Sequence, residues 1–358
     1  MTNLQQRRDA FPAIAVIIVN YRTAELALRA AMALAGERAQ LPGLRLVIVD
    51  GNSGDDSIEI LENGIRALGF GDWIEVLPLA INGGFGWANN QAILKVLQGD
   101  DPPDYIHILN PDTEIEPGAV LALADVLDRQ ADCAVVGSQL VNPDGSNSGS
   151  AFRFPSLGRE FLRGVNTPAL GRLLGIAPTL VDQPATDHPD WVTGASMMVR
   201  SRALQETGLF DTGFFLYFEE VEMMFRMQRR GWKIRHAPNS RVRHIGGVST
   251  KMTYNLKLEG WAPALPEYWF ASRRRCLALI LGKWATCAAG MMWLLGHALY
   301  RMRRGLGFAG GHVPNRGEGR SLLRYGIVPR AFDLTPHIAD WQEPPGQPPA
   351  WMAPDKQR

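Results

Sequence analysis

The sequence predicts an α/β fold, a mostly parallel sheet flanked by helices and followed by a helical C-terminal extension. Three observations predict it. Short apolar runs rich in β-branched residues recur at Ile14 to Val19, Leu44 to Val49 and Tyr105 to Leu109, apolar on both faces as the central strands of a parallel sheet are. The first two are each followed by helical spacing, with Leu26, Ala30 and Leu34 after one and Leu61, Ile65 and Leu68 after the other. The runs also stop at polar residues: Asn20, Asp50 and, past Asn110-Pro111, Asp112. Strands that alternate with helices pair through right-handed crossovers, because a tight turn cannot reach a parallel neighbour. In such sheets ligands bind outside the carboxyl ends of the strands.

The remaining elements follow in order. Thr23 suits the N-cap of the first helix. Trp73 to Leu77 reads as a weaker strand leading to Asn82-Gly83-Gly84-Phe85-Gly86, and Trp87 to Leu97 returns to helical periodicity. Pro117 suits the first position of a helix ending near Leu127. Cys133 to Gly137 reads as a fifth strand, and Asn142-Pro143-Asp144-Gly145 as a turn. Residues 150 to 190 are poorly periodic, carry Arg153, Arg159 and Arg163, and are expected to form a mobile or partner-facing loop region. Trp191 to Val199 is a strand interrupted by Thr193-Gly194-Ala195-Ser196, whose small side chains would let a ligand approach the backbone. Lys233 to His236 and Arg241 to Ser249 read as two further short strands.

Composition narrows the function. The chain of 358 residues is 46% hydrophobic and 20% charged, ordinary for a globular protein with one large core or two modest ones. A net charge of +1 argues against a general nucleic-acid binder. Cys133, Cys276 and Cys287 lie far apart without metal-ligand spacing, which fits a reducing compartment. No apolar signal-peptide core precedes the first strand, so a cytoplasmic location is expected. Arg273-Arg274-Arg275 and then Arg301, Arg303 and Arg304 flank an apolar run from Cys276 to Tyr300. Lys283 and His297 interrupt it, and its clean portion from Trp284 to Leu295 is shorter than the roughly 20 residues a spanning helix needs. It reads as a core helix pair or as a helix in a membrane interface, and peripheral contact through 267–304 is favoured. Past Asp340 the chain is Pro-rich and expected to be disordered.

Chemistry is carried by the strand ends and by one later block. Asn20, Asp50, Asn82 and Asp112 each read alone as caps or loop residues, and Asn110-Pro111-Asp112-Thr113 alone as a turn. Together they suggest a polar ligand in one crevice, with Asp112 at a metal-and-phosphate position. Phe214-Phe215-Leu216-Tyr217-Phe218 runs straight into Glu219-Glu220-Val221-Glu222. A dipole-matched helix start explains the charges. It leaves the aromatic lead-in, which would bury at least one carboxylate and raise its pKa toward a general-base role. Lone histidines are more often structural than ligands, but His244, just before Gly246-Gly247, is better placed than His107 or His236.

These residues resemble glycosyltransferase family 2, the inverting enzymes of GT-A fold, and within it the bacterial rhamnosyltransferase-like branch. The resemblance covers about residues 12 to 250 and rests on eight motifs in order. They are Val19-Asn20-Tyr21; Val49-Asp50 through Asp55; Asn82 to Gly86 with Asn89-Asn90; Leu109 to Thr113; Asn142 to Gly145; Gly194-Ala195; Phe210-Asp211 through Glu222; and His244 to Gly247. It implies a Rossmann-like GT-A sheet, with 12–130 as the nucleotide-binding half and 131–250 as the acceptor half. The tail 1–11 would precede this domain, and a helical extension, 251–339, would follow it before the tail 340–358. The crevice would hold a nucleoside-diphosphate sugar, with dTDP-L-rhamnose favoured, through Asn20, Asp50, Asp55, Asn82, Gly84, Asn89 and Asn110. The acceptor, a saccharide or a lipid-linked glycan, would meet Trp191, Gly194, Phe218 and Glu219. Asp112 fills the last position of the family's Asp-x-Asp element, and His244 resembles the further ligand of a Mg²⁺ or Mn²⁺ ion. Glu220 stands where the family usually has the Asp that deprotonates the acceptor. Two departures leave questions: Asn110 replaces the first metal-motif Asp, and Glu is one methylene longer than Asp, so Glu219 or Glu222 could hold the base instead. The alternatives are a UDP-hexose donor, a nucleotidyltransferase that makes sugar nucleotides, or a non-catalytic sugar-binding relative.

Overall fold

The computed structural model describes residues 11–182, 184, 188–245, 264–308, 315–327 and 334–352. In chain order the elements are β1 (Ile14–Asn20), α1 (Ala24–Ala35), β2 (Arg45–Asp50), α2 (Ser57–Leu68), β3 (Ile74–Pro78), α3 (Phe85–Leu97), β4 (Tyr105–Leu109), β5 (Thr113–Ile115), α4 (Ala119–Arg129) and β6 (Cys133–Val141). There follow β7 (Ala151–Phe152), α5 (Leu157–Val165), α6 (Pro168–Leu174), β8 (Trp191–Val192), β9 (Ser196–Arg200), α7 (Ser201–Thr207), α8 (Glu219–Arg229), β10 (Lys233–His244), α9 (Glu267–Leu281), α10 (Lys283–Gly305) and α11 (Glu318–Ser321).

The main sheet has eight strands in the order β3-β2-β1-β4-β9-β6-β10-β5. The first four are parallel, β9 runs antiparallel between β4 and β6, and β6 and β10 are again parallel. Alternate residues of β1 explain its unbroken apolar run. Ile14, Val16 and Ile18 enter a core with Ala27 and Leu34 of α1, Leu61 of α2 and Leu123 of α4. Ala15 and Ile17 enter the opposite core with Ala92 and Ile93 of α3, Leu204 of α7 and Met223 of α8. Both faces are covered, so neither tolerates polar alternation. The fold class is as the sequence implied.

Several local expectations change. The helix after Asp112 begins at Ala119, not Pro117, because Gly118 takes φ +81° and caps it. The Glu37 carboxylate, 81 residues away, accepts from the Gly118 and Val120 amides at 2.6 and 3.1 Å. Residues 233 to 244 form one strand with a register shift between Ala237 and Arg241, rather than two strands; Gly246 to Ser249 lie outside the described residues. Between 150 and 190 the chain forms two helices, and its arginines are engaged rather than presented to a partner. Arg153 and Arg159 donate to the carbonyls of Pro178 and Ala177 at 3.2 and 3.1 Å. Arg163 pairs with Glu160 of α5 and with Glu318 of α11, and the buried Arg273 pairs with the same Glu160.

Those ion pairs join the C-terminal helices to the domain. At Gly282, φ +85°, the apolar run breaks into α9 and α10. The second helix crosses α5 backbone to backbone: a Cβ on Gly164 would stand 2.2 Å from Trp293 O, and one on Gly296 2.3 Å from Phe161 O. No described helix is long and apolar enough to cross a membrane. The segment from Asp340, expected to be disordered, is packed as far as Met352. Gln98 donates to Trp341 O and Glu343 O at 2.8 Å. Trp87 donates to Gln347 O at 2.7 Å, and Trp341 packs on the core, so backbone carbonyls together with tryptophan side chains hold the proline-rich chain down.

Candidate active site

The carboxyl ends of β2, β1 and β4 lie level. Asn20 is in register with Asp50, and Ile18 with Leu109. Asn20 and Asp50 are buried and bound to one another, the Asn20 amide donating to Asp50 Oδ1 at 2.8 Å. The Thr23 amide and hydroxyl donate to Asn20 Oδ1, and its second amide hydrogen meets Ser53 Oγ at 3.4 Å. All four hydrogen-bonding positions of Asn20 are filled, so it orients Asp50 rather than a ligand. Asp50 also accepts from the Ser53 hydroxyl and amide at 2.6 and 3.0 Å. Asp55 is exposed and accepts from the Ser57 amide at 3.0 Å. Hydrogen bonding from Ser57 holds its carboxyl below the usual range, which is how a residue capping the start of α2 behaves.

The glycine-rich loop before α3 is shaped by a neighbour. Asn82 Oδ1 accepts from the Gly84 amide at 3.2 Å. Gly84 has φ +89°, and a Cβ there would lie 1.9 Å from Phe215 O. The Phe85 amide donates to that same carbonyl at 3.1 Å. Gly84 is therefore small so that two loops can touch. Asn89 is fully buried, its amide donating to Phe85 O at 2.9 Å and its Oδ1 without a partner among the described residues, so it braces the helix start and lines no open surface. Asn90 exchanges two hydrogen bonds with the Phe210 backbone, at 2.8 and 3.0 Å, fixing the aromatic-acidic block against α3.

The short edge strand β5 had no clear sequence signal, yet it assembles the next pair. Its antiparallel register sets His244 opposite Thr113, and His244 Nε2 stands 3.3 Å from Asp112 Oδ1. Two cis ligands about 2.1 Å from one octahedral ion stand about 3 Å apart, so the pair has the spacing of shared ligands. No third His, Cys, Asp or Glu joins them among the described residues. An ion held by these two side chains would keep positions for phosphate oxygens and water, as Mg²⁺ prefers. The other two candidate histidines are core residues: His107 is bonded to Ser196 Oγ and His236 to Ser150 Oγ, both at 3.0 Å. Burial lowers their pKa values to about 3 and about 4.

Asn110 links this pair to the rest. Its amide donates to Ala195 O at 2.9 Å, and the adjoining Gly194 lies against Phe85 and Glu220, where a Cβ would be 3.5 Å from the Phe85 ring and 4.0 Å from Glu220 Cβ. The turn at Gly194 thus lies between the strand ends and the start of α8. Trp191, two residues before this loop, stacks on Phe152 at 4.3 Å and donates to Arg153 O, so it packs the small β7-β8 sheet instead of facing an acceptor.

At the start of α8, Tyr217 and Phe218 both take φ +71°, and the Phe218 ring meets Trp269 of α9 at 5.5 Å. The three glutamates then separate. Glu222 is paired with Arg226 at 3.1 Å, which withdraws it from acid-base work. Glu219 is buried against Gly86 and Phe210, its Oε2 without a partner among the described residues, and burial with the neighbouring Glu220 charge pushes its pKa well up. Glu220 is half-buried beside Gly194, and burial raises its pKa to about 7. A carboxylate so tuned can take a proton near neutral pH.

A model described as "Glycosyltransferase like family 2" matches residues 12–277. The chain belongs to this family. Among curated relatives of this family 2 chain, an N-acetylglucosaminyl-diphospho-decaprenol L-rhamnosyltransferase of Mycobacterium tuberculosis is 30% identical over 185 residues, 49% of this chain and 60% of that protein. Rhamnosyltransferase WbbL of Escherichia coli is 26% identical over 163 residues, 43% of this chain and 58% of that one. The matches thus span about 60% of those relatives. Among solved structures, the fold is similar to a Pyrobaculum calidifontis mannosyltransferase in complex with GDP-Man and Mn²⁺, at TM-score 0.54 and 13% identity over 88% of this chain and 79% of that one. It is also similar to GalNAc-T7 with UDP, GalNAc and Mn²⁺, at 0.52 and 15% over 84% and 55%. This family 2 chain therefore has the GT-A glycosyltransferase fold.

Proposed function

We propose that this family 2 chain is an inverting, metal-dependent glycosyltransferase that moves L-rhamnose from dTDP-L-rhamnose to a saccharide or lipid-linked acceptor in cell-surface polysaccharide assembly. What supports the reading is the 3.3 Å Asp112–His244 pair on one side of the Asn110–Ala195 hydrogen bond, with Glu220 beside the adjoining Gly194. Asp112 and His244 would hold Mg²⁺ or Mn²⁺, which when bound would offset negative charge on the departing diphosphate. Asp50, oriented by Asn20 and Ser53, meets the nucleoside. Glu220 accepts the acceptor hydroxyl proton as that oxygen attacks the anomeric carbon opposite the diphosphate, so one displacement inverts the centre. The rhamnosyl donor is supported by the two curated relatives. Release of dTDP that requires both acceptor and divalent cation is the expected result. Consumption of a sugar phosphate and a nucleoside triphosphate instead would indicate a nucleotidyltransferase.

The Glu220 environment sets the pH dependence. The base works deprotonated, so kcat is expected to rise with pH through about 7 and then level off, measured as a pH–rate profile at saturating donor. A rate that falls over the same interval would assign Glu220 to the acid form.

The chain also meets its acceptor at the inner face of a membrane. Along α10, Trp284, Met291, Leu295 and Met302 share one face and are 80%, 57%, 53% and 60% exposed, while Lys283 and Arg301 lie beside it at either end and the helix contains no acidic residue. Apolar side chains rimmed by cations suit an anionic bilayer surface. Self-pairing along this face would set cations against one another with no acidic partner on the helix. Co-sedimentation with anionic vesicles that weakens with salt and with Leu295→Asp is the expected result; equal binding by wild type and variant would remove α10 from the contact.

A further inference from the structure

The family match ends at residue 277, yet the chain returns to the glycine-rich loop before α3 well beyond it. From Thr335 to Met352 a strap crosses the outside of the 207–215 segment and α3. Thr335 O accepts from Arg275, which also holds Asp211, and the His337 and Ala339 carbonyls accept from the Thr212 and Leu209 amides. The strap then arches over a cavity of about 220 Å³ and lands on Trp351. The indole Nε1 of Trp351 donates to Gly83 O at 3.0 Å, and its ring meets Phe215 edge-on at 5.1 Å. Gly83 and Phe215 belong to the two loops that touch through Gly84, Phe85 and Phe215 O. Trp351 therefore binds both members of that contact from outside.

We infer that Trp351 is a positioning residue for donor binding, holding the glycine-rich loop 82–86 against the 214–218 loop. The inference rests on the donor reading above. The strap is held at separate points along its length, by Gln98 at Trp341 and Glu343, by Gln91 at Gly346, by Trp87 at Gln347 and by Gly83 at Trp351, so single substitutions report on single contacts. Among the described residues, the Gly83 carbonyl and the Phe215 ring meet the chain past 340 through Trp351, whereas Gln98 binds the strap at Trp341 and Glu343, away from the loops.

The test compares Trp351→Ala, Trp351→Phe, which keeps a ring but loses the bond to Gly83, and Gln98→Ala. Two quantities are measured: amide hydrogen exchange at residues 83–88 without ligand, and steady-state kinetics with dTDP-L-rhamnose and Mg²⁺. Faster exchange is expected in both Trp351 variants. Donor KM is expected to rise by roughly tenfold or more in Trp351→Ala, less in Trp351→Phe, with kcat changing less than KM, while Gln98→Ala keeps the wild-type donor KM. Unchanged exchange or unchanged donor KM in the Trp351 variants overturns the inference, as does a Gln98→Ala variant that raises KM as much as Trp351→Ala. If the wild type fails to use dTDP-L-rhamnose, the donor reading falls, and exchange at 83–88 still decides whether Trp351 holds the loop.

Discussion

Glu220→Gln is expected to abolish sugar transfer and to leave sugar-nucleotide binding intact. The amide keeps the shape of the side chain beside Gly194 but cannot take a proton, and losing a positioned general base costs about 10²- to 10⁴-fold in rate. Neither neighbour is placed to substitute. Glu222 is committed to Arg226 at 3.1 Å, and Glu219 is turned toward Gly86 and Phe210 in the interior, where burial favours its protonated form. The measurement is single-turnover transfer alongside calorimetric titration of the donor. Full turnover by Glu220→Gln would pass the role to Glu219, whose own Gln variant would then be the inactive one.

The second large effect belongs to the strand-end pair. Asp112→Ala and His244→Ala are each expected to weaken divalent-cation binding by more than the roughly 10–100-fold typical of losing an outer-sphere partner, and to lower transfer accordingly. Because the two side chains, 3.3 Å apart, would grip one ion, their losses should not add. The double variant should lose little beyond the worse single one in a Mn²⁺ titration with dTDP present. Additive losses, or single variants with wild-type cation requirement, would place the ion elsewhere.

The sheet was readable because its signals are local. The Ile14 to Val19 run is apolar on both faces for a reason that one strand displays by itself, and so are the helical spacings that follow. The proposed site residues Asp112, His244 and Glu220 were readable only as an ordered set of motifs. What brought two of them together, the β5–β10 pairing between Thr113 and His244, lies in three residues with no strand signature. Asn20, Asn89 and Trp191 show the converse. Their types suit a ligand site, but what they touch is decided by distant chain, such as Asp50 for Asn20 and Phe152 for Trp191. The strap illustrates the same limit. Proline-rich composition argues against a core of its own, and nothing in 340–352 announces that Trp87, Gln91 and Gly83 will supply its partners.

The proposed reaction is one displacement at the anomeric carbon, in which Glu220 would draw off the acceptor proton opposite the departing diphosphate. The anomeric configuration of the product, read by NMR against that of the donor, tests this most directly. An inverted centre is the expected result; a retained one would contradict a single displacement and leave Glu220 without the role assigned to it.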